Sequence, residues 1–299
     1  MTVDVTVVVA TRNRREQLLD VLARHPGPVV VVDNGSDDGT PEAVAAAHPR
    51  VRLVRLGANL GAGTARNVGV ALARTPFVAF ADDDSYWAPG ALDRAAEILW
   101  AYPRTGLVTG RVLVGPQARL DPICTEMAAA PLGTPADAPG PSVLGFLACA
   151  VVLRRAAFTD VGGFADRLGT YGEEALLAMD LAAAGWRLAY VPELVVHHLP
   201  SPSGRDPRAR RRQEARNRVL TTALRRPVGV LREVVAETWR DPDRRPGLRD
   251  AARQLGWVLR ERRRLPAAVE ADLGVLEGRV PARTPVTAAS AATAGAGVD

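Results

Sequence analysis

The first half of the chain alternates short apolar runs, rich in valine, with longer segments whose apolar residues recur at helical spacing. Such runs are typical of β-strands buried on both faces of a sheet, and the segments between them are typical of amphipathic helices. Four strand–helix pairs are therefore predicted. The strands are Val3–Ala10, Val29–Val32, Val51–Leu56 and Phe77–Ala81, and the helices are Arg15–Ala23, Pro41–Ala47, Ala65–Arg74 and Pro89–Trp100.

The order of these elements predicts the fold class. A βαβαβαβ succession favours a doubly wound α/β sheet, in which ligands bind beyond the carboxyl ends of the strands. Val51–Leu56 alternates apolar residues with arginine, which indicates a strand nearer an edge of that sheet. In the turn before the second helix, Thr40 is the predicted N-cap and Pro41 the first helical residue.

The second half of the chain is less regular. Gly115–Pro141 is rich in proline, glycine and alanine, which predicts a long, partly irregular loop, and such a length inside a compact domain indicates a function. A strand at Phe146–Leu153, a helix at Glu173–Ala184 and a strand at Arg187–Val191 complete the predicted core. We therefore expect one α/β domain over residues 1–200.

A helical, arginine-rich extension is predicted over residues 201–280, and a disordered tail of low complexity over residues 281–299. Residues 201–264 hold 19 of the 38 arginines but 8 of the 33 acidic residues, a local balance of +11, which leaves −6 for the rest. The arginines are not interleaved with aromatic residues, so we expect no nucleic-acid partner. Prolines at positions 227, 242, 246 and 266 interrupt the helical pattern.

This basic extension has two interpretations. It can contact anionic lipids at a membrane surface, or it can pair with the acidic remainder of the chain. The densest cluster of arginines comprises Arg205, Arg208, Arg210, Arg211 and Arg212. No apolar run approaches the ~18 residues that a membrane-spanning helix needs, and the first residues lack the pattern of a signal peptide. We expect a cytoplasmic protein, which the two cysteines also favour because they are too few for a disulfide framework.

Three consecutive carboxylates carry the strongest chemical signal. Asp82, Asp83 and Asp84 follow the buried run Phe77–Ala81 directly, so the strand would deliver them to the ligand-binding edge of the sheet. Adjacent acids repel one another, and a divalent cation would offset that repulsion. Hard oxygen ligands suit Mg²⁺ or Mn²⁺, which would bridge to a diphosphate. Taken alone, the same three residues could form a solvated acidic turn.

The turns after the other predicted strands favour the metal interpretation. Val9-Ala10-Thr11-Arg12-Asn13-Arg14 follows the first strand, and Val32-Asp33-Asn34-Gly35-Ser36-Asp37-Asp38-Gly39-Thr40 follows the second. Asn59-Leu60-Gly61-Ala62-Gly63-Thr64-Ala65-Arg66-Asn67 follows the third. Polar, glycine-rich turns at four successive strand ends are how a nucleotide pocket is assembled on a rigid sheet.

These four motifs, in this order and spacing, resemble the inverting GT-A glycosyltransferases of family 2, including rhamnosyltransferase-like members, over roughly residues 3–200. The resemblance implies a GT-A fold, a Rossmann-like nucleotide-binding sheet. It implies that Thr11, Arg12 and Asp33 bind the nucleoside and that Arg66 lies near the base. Of the triple aspartate, Asp83 would meet the ribose and Asp84 would bind the metal, with Asp82 as a further contact to donor and metal.

The resemblance continues in the second half. Tyr171-Gly172-Glu173-Glu174 looks like the acidic helix start of that family, although Glu174 stands where aspartate is more common. It implies that Glu174 is the catalytic base, with Glu173 as the second candidate. Of the pair His197-His198, the resemblance favours His198 as a metal ligand. Without it, the two acids could serve only to complement a helix dipole, and the histidines could be surface residues.

The resemblance implies a metal-dependent transfer of a sugar from a UDP- or dTDP-sugar donor to an acceptor hydroxyl, with inversion at the anomeric carbon. The acceptor would be a glycan, a lipid-linked sugar or a small molecule. A sugar nucleotidyltransferase is the enzymatic alternative, although the turn Thr11–Arg14 lacks the glycines such enzymes use. A non-catalytic nucleotide-sugar- or glycan-binding module is the other alternative. The absence of lysine excludes a P-loop, and no Gly-x-Ser-x-Gly motif is present.

Overall fold

The computed structural model describes residues 4–25, 27–200 and 206–281, which form a mixed sheet of nine strands with helices packed around it. The strands are β1 Val5–Thr11, β2 Val29–Asp33, β3 Arg52–Arg55, β4 Phe77–Asp82, β5 Ser85–Trp87, β6 Thr105–Val114, β7 Arg119–Leu120, β8 Val151–Arg154 and β9 Arg187–His198. The helices are α1 Arg15–Leu22, α2 Thr40–Ala47, α3 Ala62–Leu72, α4 Ala91–Ala101, α5 Pro122–Ala128, α6 Arg155–Asp160, α7 Glu173–Ala183, α8 Pro207–Arg225, α9 Val228–Arg240, α10 Pro246–Ala252, α11 Leu255–Glu261 and α12 Ala267–Leu276.

The predicted α/β half is confirmed. Its four strands run parallel in the order β3-β2-β1-β4, and β3 lies at the edge, as its alternating pattern predicted. The central strands are buried on both faces, since Val7, Val8 and Val9 have no exposed surface. One local prediction was wrong: Thr40 is the first residue of α2, and the N-cap position belongs to Gly39 with φ +80°. Asp38 takes the capping role, because its Oδ1 accepts from the Thr40 backbone N–H at 3.0 Å.

The other half of the sheet is mixed, in the order β4-β8-β6-β9-β5. Strand β6 was missed by the sequence analysis, although it joins β8 on one side and β9 on the other. The strand predicted at Phe146–Leu153 begins only at Val151, since Ala148–Ala150 form a 3₁₀ turn. The strand predicted at Arg187–Val191 continues to His198 because β5 and β6 pair along its second half.

The segment predicted as a loop between Gly115 and Pro141 contains β7 and α5. Helix α5 begins conventionally, with Asp121 as the N-cap accepting from the Ile123 backbone N–H at 3.1 Å and with Pro122 at its first position. From Ala129 to Ser142 the chain is irregular, as predicted.

The C-terminal extension is helical, as predicted, and its prolines mark where helices begin. Pro227 and Pro266 are the N-caps of α9 and α12, and Pro246 is the first residue of α10. Helices α8 to α11 enclose a second apolar core that also includes Leu168 and Leu176 from the first 200 residues. The extension is therefore packed on the α/β half. Of the predicted disordered tail, residues 282–299 lie outside the described part of the chain.

The arginine cluster at the start of α8 pairs within the molecule. Arg211 and Arg212 contact Asp243 and Asp250 at 2.5 and 2.6 Å, and Arg210 contacts Glu214 at 2.7 Å. These partners lie within residues 201–264, so the described members of the cluster pair inside the extension and not with the acidic remainder of the chain, as one interpretation had it. Arg205 lies outside the described residues. None of the helices within the described ranges combines the length and the apolar character that crossing a bilayer requires.

His25 gives the fold a pH dependence that can be measured. The side chain is buried after α1, and burial lowers its pKa from 6.5 to about 4. The unfolded chain binds this proton more tightly than the folded protein does. The free energy of unfolding should therefore fall by about 3 kcal/mol as the pH falls from 6.5 towards 4. Urea unfolding of the wild type and of His25→Phe between pH 4 and 7.5 should show a shallower pH dependence in the variant, whereas His48→Phe should keep the wild-type slope. Equal slopes in the wild type and His25→Phe would contradict the assignment.

Candidate active site

The polar turns predicted at four strand ends meet at one edge of the sheet. Strands β1, β2 and β4 are parallel and in register, so that Thr11 lies beside Asp33 and Ala10 lies beside Asp82. The turn after β3 joins the same edge, because Asn34 donates to the Asn59 side chain at 3.1 Å. The sequence prediction that these turns meet at one edge of the sheet is confirmed.

The first two turns hold each other in place. The Asn13 amide donates to Asp37 at 2.8 Å, and the Asp37 backbone N–H donates to the Asn13 side chain at 2.9 Å. Arg12 is exposed, and its Nε donates to the Gly35 carbonyl at 3.3 Å. Gly35 has φ +79°, and a Cβ there would lie 2.7 Å from the backbone of Ala58, so only glycine fits where the second and third turns cross.

Asp33 is buried at the end of β2, with 2 % of its surface exposed. Its Oδ2 accepts from the Ser36 backbone N–H at 3.2 Å, whereas Oδ1 has no partner among the described residues. A buried acceptor without a donor is unfavourable, and a ligand N–H would relieve that cost. Oδ1 is shielded from solvent in this arrangement, so a bound base would reach it only after neighbouring atoms move.

The middle acid of the triple aspartate is tied to the first strand. Thr11 Oγ1 donates to Asp83 Oδ2 at 3.0 Å, which brings these two predicted donor-binding residues together. Burial, and then the charges of Asp84 and Asp82, raise the pKa of Asp83 to about 7. Repulsion among three adjacent carboxylates thus adds to the cost of burying Asp83, and a bound cation would reduce that repulsion.

Three predicted metal ligands converge. One donor atom from each of Asp82, Asp84 and His198 lies within 4.8 Å of the others. His198 is the last residue of β9, opposite Ser85, and its Nε2 lies 3.3 Å from Asp84 Oδ1. The hydrogen bond to Asp84 raises the pKa of His198. Two carboxylates and one imidazole at this spacing suit a single Mn²⁺ or Mg²⁺ ion.

Arg66 connects this cluster to the acidic helix start. The guanidinium is buried, donating from Nη2 to Asp82 at 2.9 Å and from Nη1 to Glu173 at 3.0 Å. It also lies 5.8 Å from the ring centres of Phe80 and Phe164. The nearby carboxylates hold the pKa of Arg66 above its usual value against burial, which lowers it. Arg66 therefore stays charged and fixes the side chain of Asp82 relative to α7.

The two predicted base candidates occupy different environments. Glu173 is 1 % exposed and held by Arg66, and burial, followed by the charge of Glu174, raises its pKa to about 7. Its Oε2 has no partner among the described residues. Glu174 is half-buried, and no hydrogen bond or ion pair restrains its carboxylate in the described structure. Glu174 is thus the more accessible of the two acids.

The loop before Glu173 is held by helix α8. Asn217 is fully buried, and its amide donates to the carbonyl oxygens of Leu168, Thr170 and Tyr171 at 2.9, 3.1 and 2.7 Å. Tyr171 has φ +68°, which costs energy for a residue other than glycine, so these contacts maintain a strained turn. The sequence analysis missed Asn217; the available signal was a polar residue in line with the apolar face of α8.

The same loop also contacts the third strand-end turn. Thr170 Oγ1 accepts from the Ala62 backbone N–H at 3.2 Å, and Gly63 N–H donates to the Gly169 carbonyl at 3.0 Å. Gly61 packs so closely that a Cβ would lie 2.6 Å from the Cα of Gly169. The turn after β3 and the loop before α7 are therefore held together by direct contacts.

Comparison with known proteins decides between the two enzymatic alternatives. The family model described as "Glycosyl transferase family 2" matches residues 6–162, which contain the four strand-end motifs. The chain belongs to glycosyl transferase family 2. The resemblance stated from the motifs is therefore confirmed, and the nucleotidyltransferase alternative is not supported.

Two named relatives of the chain are glycosyltransferases. The chain is 33% identical over 222 residues to the N-acetylglucosaminyl-diphospho-decaprenol L-rhamnosyltransferase of Mycobacterium tuberculosis, covering 63% of this chain and 72% of the relative. It is 31% identical over 206 residues to the pre-mycofactocin glycosyltransferase of the same species, of which it spans 42%. This member of the family is therefore a glycosyltransferase.

Solved structures confirm the GT-A fold. The mannosyltransferase PcManGT from Pyrobaculum calidifontis, in complex with GDP-Man and Mn²⁺, aligns with a TM-score of 0.57 at 25% identity, covering 92% of this chain and 79% of that one. S. aureus TarS 1-349 in complex with UDP-GlcNAc aligns with a TM-score of 0.56 at 18% identity, covering 90% and 83%, and this likeness shows the fold alone.

Proposed function

We propose that this glycosyltransferase is a metal-dependent, inverting enzyme that moves a sugar from a nucleoside diphosphate to an acceptor hydroxyl. The observation that carries the proposal is the convergence of Asp82, Asp84 and His198 within 4.8 Å, beside the turns that hold Thr11 and Asp33. The same edge presents the accessible carboxylate of Glu174. This arrangement supports a donor site next to a candidate base, as direct displacement requires.

The donor nucleoside would occupy the turns after β1 and β2. Asp33 would accept from an N–H of the base once a local movement uncovers its unpartnered Oδ1, and Arg12 is exposed on the neighbouring turn. Asp83, held by Thr11, would accept from the ribose hydroxyls. Arg66 supports this side of the site indirectly, because it fixes Asp82.

Asp84, Asp82 and His198 would hold the divalent cation against the donor diphosphate. Such an ion supplies Lewis-acid stabilisation of the negative charge that develops on the leaving nucleoside diphosphate. The imidazole favours Mn²⁺ at least as much as Mg²⁺, since nitrogen ligands suit the transition metal better. The structural neighbour PcManGT carries Mn²⁺ in its complex, which supports this choice.

Glu174 would remove the proton from the acceptor hydroxyl as the oxygen attacks the anomeric carbon. Its carboxylate is half-buried and unrestrained, whereas Glu173 is fixed by Arg66 and shielded from solvent. General-base catalysis needs reach before it needs a tuned pKa, which favours Glu174 over Glu173. Glu173 would then position Arg66. One direct displacement gives inversion.

The named relatives suggest the substrates. The mycobacterial rhamnosyltransferase acts, by its name, on an N-acetylglucosaminyl-diphospho-decaprenol. We propose a deoxyhexose donor activated by dTDP or UDP, and a lipid-linked sugar rather than a free glycan or small molecule as acceptor. We further propose that residues 1–200 form the catalytic domain. Residues 201–280 would form an extension that orders the loop before Glu173.

A nucleotide-sugar screen tests this function. Nucleoside diphosphate release should require both Mn²⁺ or Mg²⁺ and an acceptor, and one donor should give the largest thermal stabilisation. Stabilisation by a nucleotide sugar without release in the presence of any acceptor would favour the non-catalytic binding module. Neither stabilisation nor release with any donor would contradict the proposal.

Asn217 provides a prediction about the loop that precedes Glu173. Asn217→Ala leaves the carbonyl oxygens of Thr170 and Tyr171 without their side-chain donor, whereas the Leu168 carbonyl still accepts from Gln213, so the free energy of unfolding should fall by about 1–3 kcal/mol. Because the loop precedes Glu174, kcat should fall while the KM for the donor changes little. Gln213→Ala, which removes one bond to the Leu168 carbonyl, is the matched control and should have a smaller effect on both quantities. Unchanged kcat in a destabilised Asn217→Ala would show a purely structural role.

We propose that helix α9 contacts a membrane surface, and not the arginines at the start of α8, which form ion pairs within the chain. Val235 and Trp239 are 37% and 59% exposed, and Arg232 and Arg240 flank them without an ion pair to any described residue. An exposed tryptophan with flanking arginines suits an anionic lipid surface. Flotation should show binding to anionic but not neutral vesicles at low salt, reduced in Trp239→Ser and retained in Leu255→Ser. No binding to anionic vesicles at low salt would contradict this contact.

A further inference from the structure

An apolar cavity of about 630 Å³ lies between α5, the segment 142–147 and α12. This volume falls within the range of roughly 300–1,000 Å³ that is typical of pockets for small ligands. Glu126 is the single charged residue among the described lining residues. The main apolar contributors are Ile123, Met127, Val143, Phe146, Leu147 and Leu276.

One wall of the cavity lies close to the cluster of Asp82, Asp84 and His198. The 3₁₀ turn Ala148–Ala150, which includes Cys149, packs against β4, the strand that ends at Asp82. Leu147 stands two residues before Cys149 in the chain. Burial raises the pKa of the Cys149 thiol, and the nearby charges of Asp82 and Asp84 raise it further, which agrees with this placement.

A second wall reaches the same place from the other side. Val114 of β6 pairs with both His198 and Arg119, so that β7 lies one strand away from His198. Helix α5 follows β7 directly, and Cys124 Sγ anchors it to β6 by accepting from the Val112 backbone N–H at 3.3 Å. The third wall, α12, packs against α7, the helix that begins with the acidic pair.

We infer that this cavity binds an apolar chain carried by the acceptor, of the prenyl type. The inference rests on the proposed function, which places the acceptor hydroxyl at Glu174. An acceptor whose reacting sugar lies at that carboxylate would have its hydrophobic part near the cavity, because two walls adjoin the strands that end at Asp82 and His198 and the third packs on α7. The lining has few groups to recognise a polar aglycone, but it can remove several methylene groups from water, each worth about fourfold in affinity.

The lining offers two positions where the cavity can be changed with little risk to the fold. A Cβ at Gly145 would meet nothing within 4 Å, and its φ is not positive, so Gly145→Trp adds apolar volume without backbone strain. Leu276 is 42% exposed at the rim, and Leu276→Gln removes apolar surface without adding charge. Matched controls outside the cavity are Gly229→Trp, at another open glycine, and Leu259→Gln, at another exposed leucine.

Calorimetric titration with farnesyl diphosphate and with inorganic diphosphate tests the inference without turnover. The full chain should bind farnesyl diphosphate at least about tenfold more tightly than inorganic diphosphate, as expected for burial of a few methylene groups. Gly145→Trp and Leu276→Gln should lose most of this preference while keeping their affinity for inorganic diphosphate, and both controls should behave as the wild type.

Equal affinity for the two diphosphates, or a preference unaffected by both cavity variants, would overturn the inference. Because the measurement needs neither donor nor transfer, that result leaves the proposed function standing. Conversely, absence of donor turnover together with a chain preference that the cavity variants abolish would contradict the proposed function alone.

Discussion

Asp84→Asn is expected to reduce sugar transfer by about 10³-fold, because it removes a carboxylate from the cluster that would hold the cation. Asp84 is 7% exposed and lies 3.3 Å from His198, so asparagine can occupy the same space without its charge. The fold should persist, since relief of repulsion with Asp83 compensates for lost contacts. Transfer rates and calorimetric Mn²⁺ titration of the wild type and the variant provide the measurement.

Two controls accompany this variant. Asp93→Asn makes the same change on the exposed first turn of α4, outside the cluster, and should leave transfer and Mn²⁺ binding unchanged. EDTA should inactivate the wild type, and Mn²⁺ should restore activity at least as well as Mg²⁺. Full activity of the wild type in EDTA would contradict metal dependence, whatever the effect of Asp84→Asn.

Glu174→Gln is expected to reduce kcat by about 10²–10⁴-fold, the usual cost of losing a general base. Glutamine keeps the size and hydrogen-bonding ability of glutamate but cannot accept the proton. The affinity for the donor should be preserved, because the carboxylate faces the acceptor side in this account. Single-turnover rates with saturating donor, together with donor titration, separate the two quantities.

Glu173→Gln is the matched comparison at the neighbouring position. Its amide oxygen can still accept from Arg66, but the ion pair loses one charge in a buried setting, so we expect a loss of stability. Its kcat should stay well above that of Glu174→Gln. A nearly wild-type Glu174→Gln beside an inactive Glu173→Gln would move the base to Glu173.

The strand-end site could be predicted from the sequence because its geometry follows from local rules. Parallel strands with continuous apolar runs must end at one edge, so Thr11, Asp33 and Asp82 were bound to be neighbours once the strands were recognised. His198 was harder to place, since its strand was predicted to end at Val191. It joins the cluster because β5 and β6 extend the pairing of β9.

The features that were missed depend on contacts distant in sequence. Strand β6 contains Gly106 and Gly110, which weaken a strand pattern. Gly110 is nevertheless required, because a Cβ would lie 2.3 Å from the Leu194 carbonyl oxygen, and Gly106 packs tightly, with a Cβ 3.0 Å from Trp186. Asn217 is bonded to carbonyl oxygens 46–49 residues away. The conformational preferences of neighbouring residues do not determine such distant contacts. The contacts by which α8 holds the loop before Glu173 were therefore visible only in the structure.

The stereochemistry of the product tests the central claim most directly. With a donor of known anomeric configuration, proton NMR of the product formed in the presence of Mn²⁺ should show one anomer, of opposite configuration, from the first turnover onward. Inversion would support direct attack by a hydroxyl that Glu174 deprotonates, opposite a diphosphate held at Asp84 and His198. A product that retains the donor configuration would contradict this account.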